Sequence, residues 1–298
     1  MLFNDKPYVL LIATTWLWAG NAIASRLVVG HASPMVVTSL RWVGTLLIMI
    51  TISHVALRRD WPAIKANWRW LAVMGTLGFT GFNALFYLAG QHTTAINLGL
   101  IQGAIPVMVL AGAFVAYRTP VTRLQALGMV LTLFGVILLT TKGHVERLLG
   151  LVFNIGDVYM LIACLGYSLY TVALRDRPAI SPLPFFTALS SVALLSSLPL
   201  LAIEASNGAL QWPDARGWAI IAFIAIGPGF IAQLLFMRGV ELVGPGRAGL
   251  FVNLIPPWTA LMGTLILGED FAWYHAVALV LVLGGIGIAE SRKLMGRA

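Results

Sequence analysis

The stretch "NLIPPWTA", Asn253 to Ala260, decides what kind of chain this is. It lies inside an apolar run from about Val243 to Leu267, long enough to cross a bilayer as one helix. Yet Pro256 and Pro257 stand side by side near its middle. Each lacks a backbone N–H and clashes with the preceding turn. In hydrocarbon, irregular backbone is tolerated only where protein covers it or where it lines a wet cavity. The feature is not isolated: "QGAIPVMV", Gln102 to Val109, carries Pro106 at a position 150 residues before Pro256.

That shift of 150 brings the whole chain into register with itself. Leu11–Ala13 recurs as Leu161–Ala163, Pro34 meets Pro184, and Trp68 meets Trp218. Leu85-Phe86 recurs as Leu235-Phe236, Gly99-Leu100 as Gly249-Leu250, and Gly135 as Gly285. Apolar residues match often by chance; Pro, Trp and Gly do so less readily. One unbroken offset marks an internal repeat.

The composition sets the solvent. Of 298 residues, 59% are hydrophobic and 10% charged, against about 25% charged in a soluble domain. The mean hydropathy is +0.89. Ten apolar runs are long enough to span: 7–29, 33–56, 68–90, 93–117, 122–141, 157–175, 182–205, 217–240, 243–267 and 271–290. The expected fold is an all-α integral membrane protein of ten transmembrane helices, as two five-helix repeats. The first repeat covers 1–142, an outer connecting loop 143–156, and the second repeat with a cytoplasmic tail 157–298. "AIAS" (Ala22–Ser25) resembles a signal-peptidase site, but the repeat needs this segment, so it is read as the first span.

Five spans per repeat is odd, so the second repeat is expected to enter the membrane inverted. The charges agree. With the N-terminus inside, Lys6, Arg58, Arg59, Lys65, Arg118, Arg123, Arg175 and Arg292 are cytoplasmic, while the outer side holds only Arg26, Lys142, Arg147 and Arg216. This is the positive-inside pattern, and it places both termini in the cytoplasm. Equivalent loops carry opposite bias: 57–67 holds Arg58, Arg59 and Lys65, whereas 206–216 holds only Arg216. Inverted repeats build many secondary transporters, with a midplane site between the halves and broken helices around it.

The net charge of +8 is explained by these short loops, so no nucleic-acid partner is expected. Cys164 alone forms no intrachain disulfide, and no Cys/His spacing suits a metal. No catalytic constellation or cofactor motif is present, so neither enzyme activity nor a cofactor is expected.

Candidate substrate contacts are polar or aromatic residues within spans. In "GFTGFNALFYLAG", Phe79, Phe82, Asn83 and Phe86 share one helical face. Gln233 is the repeat equivalent of Asn83 and follows the breaker Gly227-Pro228-Gly229. Gln102 and Asn253 precede the proline breaks; Trp16, Trp18 and Tyr167 lie deeper than an interfacial belt explains, and Asn21 shares the first span with the two tryptophans. Any one phenylalanine alone is more readily a packing or lipid contact. Pro106, Pro256, Pro257 and Gly227–Gly229 are candidate hinges. Arg41 is the one clear charge well inside a span. It either contacts substrate or snorkels to helix-end carbonyls; being alone, it is read as structural. No Asp or Glu lies mid-span, which argues against a buried-carboxylate proton relay.

The opening "LWAGNAIASRLVVGHASPMVVTSLRW" (17–42) resembles EamA-type proteins of the drug/metabolite transporter superfamily, through Leu17-Trp18, Arg26, Pro34 and Arg41-Trp42. "LILGEDFAWYHAVALVLVLGGIGI" (265–288) is similar to the family's L-G-E signature before its last span; "AYRTPVT" (116–122) has no matching acid. Residues 82–87 and "GYSLYTV" (166–172) look most like the YddG-type bacterial exporters of aromatic amino acids. The resemblance implies ten spans, a central cavity and export of amino acids or related small metabolites from the bacterial cytoplasm, across the inner membrane. The expected mechanism is alternating access by a monomer in the lipid bilayer. The alternative is efflux of cationic drugs or other neutral metabolites; a receptor or membrane enzyme lacks sequence support.

Overall fold

The computed structural model describes residues 6–118, 120–144, 154–243, 248 and 251–295, with side chains at all of these except 140 and 289–295. The described residues are helical and contain no strand. In chain order the helices are α1 (Pro7–Leu27), α2 (Pro34–Ala66), α3 (Trp68–Gly75), α4 (Phe82–His92), α5 (Ala95–Gln102), α6 (Ile105–Tyr117) and α7 (Arg123–Thr140). After the connection come α8 (Ile155–Ala173), α9 (Pro182–Ser206), α10 (Ala215–Ile226), α11 (Ala232–Val243), α12 (Ile255–Leu267) and α13 (Trp273–Met295). Seven continuous helical segments are long and apolar enough to cross a membrane, and three shorter apolar helices lie at Arg123–Leu139, Ile255–Leu267 and Trp273–Ile288.

Local chemistry sets the helix ends. Pro7, Pro34 and Pro182 stand in first turns, where the missing N–H has no intrahelical partner to lose. Thr94, Asn154 and Asp214 cap α5, α8 and α10 by accepting backbone N–H bonds. Thr122 and Gln125 form a reciprocal capping box on α7. Helices α6 and α12 end on left-handed residues at equivalent positions, Arg118 (φ 53°) and Gly268 (φ 65°).

One segment departs from the sequence expectation. The 57–67 stretch, expected as a loop, continues α2 to Ala66. At 33 residues and about 1.5 Å each, α2 is about 50 Å long and outreaches a ~30 Å hydrocarbon core. Its projecting end is tied down where Asp60 accepts the Ser181 backbone N–H (2.8 Å) and Arg59 donates to the Ser181 hydroxyl (2.6 Å).

Two helix pairs fix the relation of the halves. In α2 and α9, Ser39 bonds Ser197 and Ser53 bonds Thr187, each at 2.9 Å. Advancing along α2 retreats along α9, so the two run antiparallel. In α7 and α13, Gly135 lies against Ala278, Leu281 and Val282, and Gly285 lies against Gly128 and Thr132. These contacts are also antiparallel. Packing of α4 on α8 is matched by α11 on α1, and α6 on α8 by α12 on α1. The largest core cluster runs through this centre, with Ile23, Val36, Phe86, Leu98, Met160, Ile224 and Ile255 buried together.

Candidate functional site

The proline breaks are turns between helices. Gly103 and Ala104 donate to Leu100 and Ile101 carbonyls at 3.0 Å, and α6 then starts at Ile105. Leu254 donates to the Phe251 carbonyl at 2.9 Å, and α12 starts at Ile255. Pro106, Pro256 and Pro257 therefore occupy first turns of new helices, where no N–H is missed. Neighbours cover part of the exposed backbone: the Cys164 thiol and the Ser168 hydroxyl reach the Ile101 and Ile105 carbonyls at 3.8 and 3.4 Å.

A second device is a π-helical turn, Thr76–Gly81 between α3 and α4 and Gly227–Ile231 between α10 and α11. The expected breaker at Gly227–Gly229 is thus a wide turn within a continuous helix. Such turns cluster at functional sites because they re-aim the side chains that follow. Here the residues that follow include Asn83 and Gln233.

Both devices face one cavity of about 140 Å³, roughly ten times the ~10–15 Å³ that holds one water. Five repeat-related pairs line it: Gly78 and Pro228, Phe79 and Gly229, Asn83 and Gln233, Gln102 and Val252, Ile105 and Ile255. Trp18, Asn21, Arg41, Trp42, Phe82, Tyr167 and Phe186 complete the wall.

Aromatic rings brace that wall. Phe79 packs on Trp42 (5.4 Å), on Phe186 (5.9 Å) and edge-on to Tyr170 (5.4 Å). Phe82 lies 5.2 Å from Tyr167, and Trp18 lies 5.2 Å from Phe236. Gly78 leaves room for Tyr170, whose ring would sit 2.4 Å from an added Cβ. The polar groups are few. Asn83 donates to the Phe79 carbonyl (2.7 Å), and its buried Oδ1 has no partner among the described residues. Gln102 donates weakly to the Leu98 carbonyl (3.3 Å). Arg41 donates from Nη1 to the Tyr87 hydroxyl (2.8 Å) and to Asn21 Oδ1 (3.4 Å). The guanidinium carbon lies 5.1 Å from the Trp42 ring centroid.

Of the residues expected to contact substrate, Trp18, Asn21, Phe79, Phe82, Asn83, Gln102, Tyr167 and Gln233 share this cavity. Phe86 does not line it: at 1% exposure it is core, stacked behind Phe82. Asn253 does not line it either; its neighbours Val252 and Ile255 do, because the turn points them inward. Trp16, expected near mid-span, is 49% exposed and does not line the cavity. Sequence reasoning gave Arg41 a structural role and passed over Trp42 and Phe186. It also missed Gly78 and Ile105, which projecting Pro228 and Pro256's neighbour Ile255 back by 150 residues would have found.

Away from the cavity, one end of the bundle is densely bonded. Glu269 accepts the Ala95 and Ile96 N–H groups (2.8 and 3.0 Å) at the start of α5, with Arg26 at 4.0 Å. Asp157 is buried and takes bonds from Thr93 (2.5 Å) and Asn97 (3.2 Å). Glu204 accepts from Ser33, and Asp214 meets His31 at 2.7 Å. Asp214 also accepts the Gly217 N–H, and this bond first, then His31, holds its carboxyl below the ordinary value.

The model of the EamA-like transporter family matches the chain twice, at residues 5–141 and 154–289. The uncharacterized transporter YyaM of Bacillus subtilis (strain 168) is 24% identical over 287 residues, covering 94% of this chain and 92% of its own. The uncharacterized protein PA1977 of Pseudomonas aeruginosa is 30% identical over 304 residues, covering 99% and 98%. A solved crystal structure at 20% identity shares the fold, with a TM-score of 0.65 over 99% of this chain and all of its own. With both halves matched by one family model, the chain belongs to the EamA-like transporter family.

Proposed function

We propose that this membrane transporter exports amino acids, aromatic and other neutral ones, and related small metabolites across the bacterial inner membrane. In this reading the chain crosses the bilayer ten times as two inverted five-helix repeats, with both termini cytoplasmic, and works as a monomer. The antiparallel pairing of repeat-equivalent helices, α2 with α9 and α7 with α13, supports the inversion. The observation that carries the functional reading is the cavity wall. Breaks and π turns from both halves converge on it in equivalent pairs, as alternating access between two inverted halves requires.

Its chemistry suits a solute with a flat apolar body and a polar head. Trp18, Trp42, Phe79 and Phe82 supply ring faces, and Asn21, Asn83, Gln102 and Gln233 supply amides. Opening toward the Ser33–Glu204 end requires the Glu269, Asp157 and Glu204 contacts to release, so these are the closed gate. The Pro and Gly devices at Pro106, Pro256, Pro257 and Gly227–Gly229 are the flexing points.

The test is counterflow in liposomes with labelled phenylalanine, tryptophan, methionine and threonine. Flux above protein-free liposomes is expected for at least the aromatic pair. Equal flux with and without protein overturns the reading.

A further inference from the structure

Arg41 is the one charged side chain among the residues lining the cavity. It is only 8% exposed. Its Nη1 bonds go to Tyr87 and Asn21, which are neutral, and its Nε has no partner among the described residues. Among the described residues, no Asp or Glu lines the cavity. The carboxylates at the bonded end, away from the cavity, are already engaged, Asp157 by Thr93 and Asn97, Glu269 by the start of α5.

A guanidinium held in a membrane interior with only dipoles around it is incompletely compensated. A structural strut does not need a charge: a neutral donor at Arg41 would satisfy Tyr87 and Asn21 equally well. What a guanidinium adds is a planar fork matched to a carboxylate. The Trp42 ring lies against the guanidinium, and the rings of Phe79, Phe82 and Trp18 line the same cavity. A zwitterion brings an ammonium into a wall that offers it amide oxygens and no counter-charge. A net anion balances the site by itself.

We propose that the cavity selects net-anionic carboxylates with a flat apolar body over zwitterions and amines, and that Arg41 reads the anion. The proposal rests on the transporter reading and shifts its preferred cargo: amino acids, being zwitterions, become the weaker ligands and the related anionic metabolites the stronger. It reverses the structural role that the sequence suggests for Arg41.

The experiment is calorimetric binding to the full chain in nanodiscs, using probes on one phenylethyl frame. These are 3-phenylpropanoate, 2-phenylethanesulfonate, phenylalanine, 3-phenylpropanamide and phenylethylammonium. The carboxylate is expected to bind about tenfold or more tighter than the amide and phenylalanine, a margin typical of a desolvated charge pair, with the ammonium weakest. Arg41→Gln removes the discrimination, and Arg41→Lys keeps part of it because the charge remains without the fork. Amide or phenylalanine binding as tightly as the carboxylate overturns the proposal. That comparison needs only the unsubstituted chain, so an Arg41→Gln chain that fails to fold does not shelter it. Counterflow of phenylalanine and of the membrane-impermeant sulfonate separates the two readings. Phenylalanine flux that the sulfonate does not inhibit sinks the anion preference and leaves the transporter intact. No flux or binding with any probe sinks both.

Discussion

The two halves of the molecule share their backbone devices and differ in their side chains. Each half has a π turn, a helix break with proline in the following first turn, and a left-handed residue ending the same helix. The first half, however, gives the cavity Arg41, Trp42, Trp18 and two phenylalanines, while the second gives Tyr167, Phe186 and Gln233. The difference teaches that the repeat maintains geometry on both sides, whereas most of the cavity's polar and aromatic side chains have collected on one. Under the proposed alternating access, geometry has to match between the two halves if they are to exchange roles. A bound solute has no such symmetry, so nothing keeps the side chains equal.

The hardest way to break the shared geometry is at Gly99. An added Cβ there would stand 2.4 Å from the Cβ of Thr259 on α12. Gly99→Val is expected to lower stability by about 3 kcal/mol, read as thermal unfolding in detergent. Gly287→Ala, with no heavy atom within 4 Å of the new Cβ, is the neutral control.

Glu269 sharpens the asymmetry. It caps α5 across the halves, and "AYRTPVT" has no acid to do so in return. Glu269→Ala leaves two N–H groups unmet and is expected to cost about 2 kcal/mol, as loss of a charge-assisted hydrogen bond does. An unchanged melting temperature would show that the contact is incidental.

Arg118 and Gly268 offer a swap at one equivalent pair. Gly268→Ala places a Cβ at φ 65° and is expected to cost about 1 kcal/mol. Arg118→Gly relieves the same strain at φ 53° and is expected to gain a few tenths of that, up to about 0.5 kcal/mol. Opposite signs in a melting assay confirm that the two caps are one device.

The prolines test motion more than stability. Standing in first turns, Pro106→Ala and the pair Pro256→Ala with Pro257→Ala are expected to cost under about 1 kcal/mol, chiefly through the unfolded chain. Transport rates measured on the same proteins decide whether they also flex. A rate change without a stability change supports hinges, and no change in either makes them spacers.

Much of this was legible in the sequence because hydrocarbon leaves few options. Long apolar runs had to be helices, and prolines at matched positions had to be breaks. The helix ends were legible only as approximate edges of the apolar runs; the caps at Thr94, Asn154 and Asp214 came from the structure. The 57–67 stretch was misread because its charges and Pro62 look like a loop, while the ties of Asp60 and Arg59 to Ser181 come from a distant helix. Phe86 and Phe82 lie on one helical face, yet one is core and the other wall, because Tyr87 and α8 close around the first. Asn253 and Val252 are adjacent, and only the turn's direction decides which side chain enters the cavity.

By itself, then, the sequence determined a helical membrane protein made of two like halves with matched breaks, since periodicity, proline and the cost of bare backbone in lipid are local facts. Only the tertiary structure decided which polar residues meet. Arg41 became a candidate anion site because folding set Asn21, Tyr87 and Trp42 around it and placed no carboxylate on the cavity wall. Electrostatic balance is a property of a neighbourhood, and the neighbourhood here is drawn from helices far apart in the chain.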